Sequence, residues 1–232
     1  PDIIKVGDRY LLYYSVSSFG KKTSAIALAT NATLDPANPQ FKWRDEGVVV
    51  RSGTDTNFNA IDPALFRDRD GRLWMTFGSF WTGLKLIELA PATGQRLAPD
   101  APPLALAHDR AIEAVFLHRR GDQYYLFINH GTCCRGINST YHIRVGRSTA
   151  ITGPYLDRDG RKLLEGGGTV LLESEGPFIG PGHPGIATDD GREWFSCHFY
   201  DATQNGRPTY ALRPLTWDGD GWPVVGTVPT AP

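Results

Sequence analysis

The chain has little of what would tie it to nucleic acid, to a membrane or to a disulfide framework. Its 24 Lys plus Arg stand against 25 Asp plus Glu, for a formal charge of −1. So even a balance gives no electrostatic footprint for a polyanion or an anionic bilayer. No stretch is long and apolar enough for a transmembrane helix. Only three cysteines are present, Cys133 and Cys134 side by side and Cys197 alone. That excludes a secreted disulfide scaffold and a zinc pattern of spaced Cys pairs. The adjacent pair is either a vicinal disulfide or two thiols, and a redox Cys-x-x-Cys is missing. Helical periodicity is nearly absent, which excludes a bundle. No secretory leader is visible. The sequence enters a strand at once, with Pro1-Asp2-Ile3 and no initiator Met. It is therefore expected to be the inside of a longer protein.

Aromatic and turn residues are abundant: 6 Trp, 9 Tyr and 11 Phe, with 26 Gly and 17 Pro, in 232 residues. They are spread over one recurring pattern. In Asn59-Ala60-Ile61-Asp62-Pro63-Ala64-Leu65-Phe66 an acid precedes a short apolar run. The polar turn Asp68-Arg69-Asp70-Gly71 and a second apolar run, Leu73–Phe77, follow. This reads as strand, tight turn, strand. The same scheme begins at Asp2, Glu113 and His183, with Gly7-Asp8, Gly121-Asp122 and Asp189-Asp190-Gly191 at the turns. Third strands are expected at 23–30, 83–89, 141–148 and 208–215, and an outer strand within 41–51. A closing hairpin is expected over 217–225.

Units of three or four strands repeated at intervals of tens of residues predict an all-β chain with β-propeller architecture. A sandwich also gives many short strands, but it does not place an acid or a His at the same point of each unit. One domain over 1–232, with about four blades, is the expectation. The first strand of each blade lines a propeller's axis, so Asp62, Glu113 and His183 are expected to meet at one mouth of the channel.

Two carboxylates at such a mouth suit hydrolysis of a glycosidic bond. One must stay protonated near neutral pH, and the other must be ionised. For a single Asp or Glu before a strand, turn capping is the simpler account. Recurrence in separate units favours chemistry. Phe80 and Trp81 end a strand in Gly78-Ser79-Phe80-Trp81-Thr82-Gly83, where flat rings either stack on a sugar or pack between blades. His183 sits in the stiff loop Gly180-Pro181-Gly182-His183-Pro184-Gly185 as a metal ligand or sugar contact. Trp74, Tyr124 and Phe127 lie within strands and read as core.

The motifs Asn59-Ala60-Ile61-Asp62-Pro63, Gly78-Ser79-Phe80-Trp81, Cys133-Cys134-Arg135-Gly136, Asn138-Ser139-Thr140-Tyr141, Val145-Gly146-Arg147-Ser148, Ile151-Thr152-Gly153-Pro154-Tyr155, Glu165-Gly166-Gly167-Gly168 and Gly180-Pro181-Gly182-His183 together resemble the arabinanases of glycoside hydrolase family 43. The resemblance runs over essentially the whole chain. It implies a five-bladed propeller that cleaves α-1,5-linked L-arabinan with inversion, acting on the polymer from within. It implies Glu113 as general acid and Asp62 as the residue that orients and tunes it. Phe80, Trp81, Asn138 and Ser139 are implied as substrate-lining. His183 is implied as the axial histidine of a calcium or similar ion held largely through water. The partner is arabinan or arabino-oligosaccharide, with no nucleic acid and no membrane, met by a monomer. The location is extracellular or periplasmic, or cytoplasmic if imported oligomers are the substrate.

Two departures accompany the resemblance. The family's general base is an Asp on a first blade that would precede residue 1, and neither Asp2 nor Asp62 matches it. The chain on its own is therefore expected to be inactive or unstable. Glu113-Ala114-Val115-Phe116 also lacks the Pro and Tyr that usually follow. The competing readings are an exo-acting arabinofuranosidase or xylosidase of the same family, and a non-catalytic carbohydrate-binding propeller.

Overall fold

The computed structural model describes residues 1–227. They fold into sixteen strands and three short 3-10 turns. The first sheet holds β1 (Asp2–Val6), β2 (Arg9–Ser17), β3 (Ser24–Asn31) and β4 (Arg44–Ser52). The second holds β5 (Ala64–Arg67), β6 (Leu73–Phe77), β7 (Leu84–Leu89) and β8 (Leu104–Ala107). The third holds β9 (Ile112–Arg120), β10 (Gln123–His130), β11 (His142–Ser148) and β12 (Thr169–Leu172). The fourth holds β13 (Phe178–Asp189), β14 (Arg192–Asp201), β15 (Arg207–Trp217) and β16 (Pro223–Val225). Strands neighbour one another in chain order in every sheet. Each sheet is thus an up-and-down meander of four strands, the blade unit of a propeller. The chain divides into two compact units, Pro1–Leu117 and the residues from His118 onward.

One turn is used three times. In Asp68-Arg69-Asp70-Gly71, the Gly71 N–H donates to Asp68 O at 3.0 Å and the Asp68 N–H to Arg72 O at 2.9 Å. Asp157–Gly160 and Asp218–Gly221 repeat both bonds within 0.2 Å. The last position takes φ of +78° to +85° in all three, which only glycine adopts without strain. The leading Asp also accepts backbone N–H groups further on, as Asp157 does from Asp159, Arg161 and Gly168. These turns are built by local chemistry, which is why the sequence announces them.

The core of the first unit joins its two sheets. Leu11, Tyr13, Ile26 and Leu28 pack with Leu65, Leu73, Met75 and Phe77, and the Phe58 and Phe77 rings meet edge-on at 5.7 Å. Tyr13 is fully buried, and its hydroxyl donates to Gly94 O at 2.6 Å. Burial pushes its phenol well above the usual range. In the second unit Phe127 and Phe195 are 5.9 Å apart, and Arg147 lies 4.5 Å over the Trp222 ring while donating to Asp220 O. Trp74, Tyr124 and Phe127 are buried, as their positions within strands predict.

The structure corrects one sequence expectation here. Gly180–Gly185 is not a loop. It lies inside the twelve-residue β13, whose register against β14 shifts on both sides of Gly182. Glycine and proline there bulge the strand rather than end it. Cys133 and Cys134 form a vicinal disulfide, and Cys197 is a buried free thiol.

Tyr13→Phe is expected to lower the stability of the chain by about 1–2 kcal/mol, because it leaves the Gly94 carbonyl without its buried donor. Urea unfolding measures this. An unchanged midpoint would mean that the bond contributes nothing net.

Candidate active site

Asp62 opens the second sheet. Its segment is fixed on three sides: the Ala60 N–H donates to Ser52 Oγ at 2.9 Å, the Gly78 N–H to Ile61 O at 2.9 Å, and the Asp62 N–H to Ser15 Oγ at 3.2 Å. Asn59, 3% exposed, accepts from Ser24 Oγ at 2.7 Å. With these bonds in place Asp62 is held at φ +56°. An L-residue reaches that left-handed region only at a cost. The side chain is thereby turned away from the course a strand residue would take.

Glu113 is placed by β9 and by the turn that follows β6. Ser79 and Glu113 form an isolated antiparallel bridge, and the Phe80 N–H donates to Ile112 O at 2.7 Å. Ser79 is 3% exposed, and its Oγ donates to Glu113 Oε2 at 2.7 Å. The next residue, Ala114, stands at φ +49°. The Glu113 carboxyl is raised from 4.5 to about 7. Burial is the main cause, the Ser79 hydroxyl acts in the opposite direction, and the Asp62 charge adds to the rise. A carboxyl in that state holds its proton near neutral pH and can give it up, as a general acid must.

Phe80 and Trp81 continue from Ser79 in one tight turn. Both have positive φ, +50° and +43°, and the Gly83 N–H closes the turn onto Phe80 O at 2.7 Å. Phe80 is half-buried and Trp81 is 41% exposed. An exposed indole two residues after Ser79, whose hydroxyl holds Glu113, is a suitable platform for the C–H face of a sugar.

In the second unit, His183 is exposed and stands at φ +57°. Its N–H donates to Asn129 Oδ1 at 2.7 Å, and Asn129 Nδ2 donates to Pro181 O at 3.2 Å. Asn129 is fully buried, so one carboxamide holds the bulge from both sides. A Cβ on Gly182 would come within 2.5 Å of the Tyr141 ring, so the close approach there requires glycine. The His198 imidazole is held below its ordinary range by burial first and by the nearby His183 second. Asn138 is exposed at the end of a 3-10 turn. Ser139 is 5% exposed, and its Oγ accepts the Arg135 N–H at 3.1 Å. The Cys134 N–H donates to Tyr200 Oη at 2.7 Å, tying the disulfide loop to β14.

The structure thus brings Asp62 and Glu113 together in the first unit, with Phe80 tied through its N–H to the residue before Glu113, and in the second unit it sets His183 near His198 and Gly180 against Ser139. Sequence reasoning missed Ser15, Ser79 and Asn129, the side chains that hold Asp62, Glu113 and His183 in place. The signal for one of them was present: Asn129 interrupts an otherwise apolar strand, Tyr124-Tyr125-Leu126-Phe127-Ile128. No group of three or more His, Cys, Asp or Glu converges as a metal site among the described residues. The ionisable donors around His183 are imidazoles, its own and that of His198, and imidazole nitrogen does not fit a protein-caged calcium, which takes oxygen ligands.

The model for glycosyl hydrolases family 43 matches residues 1–223. This chain belongs to that family. It is 44% identical to the extracellular exo-alpha-(1->5)-L-arabinofuranosidase ArbA of Cellvibrio japonicus, over 97% of this chain and 69% of that protein. It is 43% identical to the extracellular endo-alpha-(1->5)-L-arabinanase 1 of Bacillus subtilis, over 96% of this chain and 67% of that protein. Among solved structures, it resembles an exo-1,5-alpha-L-arabinanase from a bovine ruminal metagenomic library with a TM-score of 0.93 and 42% identity, over 98% of this chain and 77% of the other. It resembles the Cellvibrio cellulosa alpha-L-arabinanase complexed with arabinohexaose with a TM-score of 0.91 and 43% identity, over 97% and 76%. The fold class of this family-43 chain is the β-propeller, with four blades present.

A carboxyl whose folded value is raised favours the native state while it is protonated. That stability is complete below about pH 4.5 and is lost as the pH rises to about 7. Glu113→Gln is therefore expected to stabilise the chain above pH 7 by up to about 3 kcal/mol and to change little at pH 4. Thermal unfolding of the two forms across that range tests it. A pH-independent difference would mean that Glu113 is not desolvated.

Proposed function

We propose that this family-43 chain hydrolyses α-1,5-linked L-arabinan with inversion, as an endo-acting extracellular glycosidase. The observation that carries the reading is Glu113, a half-buried carboxyl held by the Ser79 hydroxyl near a second carboxyl and raised to about 7. The named activities of relatives more than 40% identical support the substrate class. The relatives' extracellular designation agrees with a polymer too large to enter a cell.

In this reading the arabinan chain lies with its leaving oxygen at Glu113. The proton passes from Glu113 to that oxygen as the C1–O bond breaks. Water adds to C1 from the opposite face and gives its proton to a general-base carboxylate, a role that the resemblance assigns to no residue of this chain, so the chain supplies the acid half of the reaction. Asp62 keeps its negative charge near Glu113, which holds the acid loaded until the leaving oxygen develops charge. Trp81 and Phe80 supply an apolar face against a ring of the substrate. Asn138, Ser139 and His183 are proposed as further substrate contacts. Of these, Ser139 Oγ already accepts one backbone N–H, which leaves its own hydrogen to donate. Asp2 is not the base in this account, because its two oxygens accept the Ile3 and Leu65 N–H groups at 2.8 and 2.7 Å. An ion at His183 would be held largely through water, and no step passes through it.

The exo relative and exo structure keep a second reading in play, release of short products from one chain end. Reducing-sugar release from linear arabinan, with product sizing, separates the two. Mixed oligomers at early times mean endo cleavage, and one short product from the start means exo. Glu113→Gln is expected to reduce release by roughly a hundredfold to ten-thousandfold. In the wild type the rate is expected to fall above about pH 7, where the acid loses its proton. Retained activity in the Gln form would remove Glu113 from the role. Arabinan binding by the wild type without any release, unchanged in Glu113→Gln, is the outcome shared by a non-catalytic binding propeller and a chain without its general base.

A further inference from the structure

We propose that Ser79 is a positioning residue for the general acid: it fixes which oxygen of Glu113 carries the donated proton and stabilises the carboxylate left behind. This deepens the glycosidase reading and rests on Glu113 being the acid. The argument begins with geometry. Ser79 Oγ donates to Glu113 Oε2 at 2.7 Å, and both backbones are locked by their antiparallel bridge and by the Phe80 N–H to Ile112 O bond. Ser79 is 3% exposed, so water does not compete for the hydroxyl. With Oε2 occupied as acceptor, the acid's proton resides on Oε1. That oxygen is the one left to face a leaving group.

The bond also changes during the reaction. Before transfer the hydroxyl donates to a neutral carboxyl. After transfer it donates to a carboxylate, and a charge-assisted bond is about twice as strong. Ser79 therefore stabilises the transition state more than the bound substrate, and its loss lowers kcat more than it raises KM. Asp62, ahead of β5, is the charged group that acts on Glu113 against it: Asp62 favours the protonated form and Ser79 the ionised one. The acid is poised between the two.

The test has two independent arms. The first needs no turnover: ¹³C-carboxyl NMR titration of glutamate-labelled wild-type and Ser79→Ala chains, with the Glu113 signal assigned by its loss in Glu113→Gln. The Glu113 midpoint is expected to rise in Ser79→Ala. An unchanged or lowered midpoint overturns the proposal whatever the enzyme cleaves. Should the alanine form not fold, Ser79→Cys, a weak donor of similar size, is read in the same way.

The second arm compares substrates. Ser79→Ala is expected to lower kcat on arabino-oligosaccharide by roughly tenfold to a hundredfold, with KM little changed. It is expected to leave dinitrophenyl α-L-arabinofuranoside nearly untouched, because that leaving group needs no proton. It should cost nothing further in the Glu113→Gln background. Equal losses on both substrates, or a full further loss in that background, would make Ser79 merely structural. If the wild type cleaves neither substrate, as a chain without its general base would, the titration alone decides the Ser79–Glu113 coupling.

Discussion

The site depends on a residue forced into the left-handed region ahead of or within the first strand of a blade and held in place by a polar side chain of the sheet before it. Asp62 is pinned by Ser15 and His183 by Asn129, and Ala114 turns the chain immediately after Glu113, which Ser79 holds. The three holding residues lie 47, 34 and 54 positions ahead of the residues they hold. Each comes from the second strand of the preceding blade or from the turn after it. An L-residue in that conformation costs on the order of 1–2 kcal/mol, and a buried hydrogen bond of comparable size offsets it. The left-handed backbone is what turns a side chain out of the regular pleat. Hydrogen-bonded neighbours make such a conformation affordable without giving up sheet pairing.

Glu113 meets a second constraint, in electrostatics. A carboxyl in water is ionised at neutral pH and cannot donate a proton. Burial reverses that preference, but it makes the ionised form costly just when catalysis must produce it. The Ser79 hydroxyl and the Asp62 charge act on this problem from opposite sides. The native state is least favoured by Glu113 above about pH 7, where its desolvated carboxyl has lost its proton.

The bulge around His183 solves a related packing problem. A regular β13 would drive its residues into Tyr141 and Ser139, against which Gly182 and Gly180 already sit as closely as a bare backbone permits. Glycine at both positions and a register shift between them let the strand pass, and the fully buried Asn129 satisfies the N–H and carbonyl that the shift frees. The disulfide at Cys133-Cys134 and the bond to Tyr200 confine the neighbouring loop, which carries Asn138 and Ser139.

The sequence by itself determined the strands, the turns and the place of the acids. Alternating apolar runs and Asp-x-Asp-Gly turns are local facts, written in consecutive residues, and local chemistry suffices to read them, whereas of the three residues expected ahead of a strand only Asp62 stands there, Glu113 and His183 lying inside β9 and β13. The family motifs added roles to the same positions. Only the tertiary structure decided how those residues are held. That Ser79 donates to Glu113, that Ser15 and Asn129 clamp left-handed backbone, and that Gly180–Gly185 is a bulged strand rather than a loop all depend on partners tens of residues away. The state of Glu113 belongs with them, because a pKa follows from burial and from neighbours in space, and neither is a property of the order of residues along a chain.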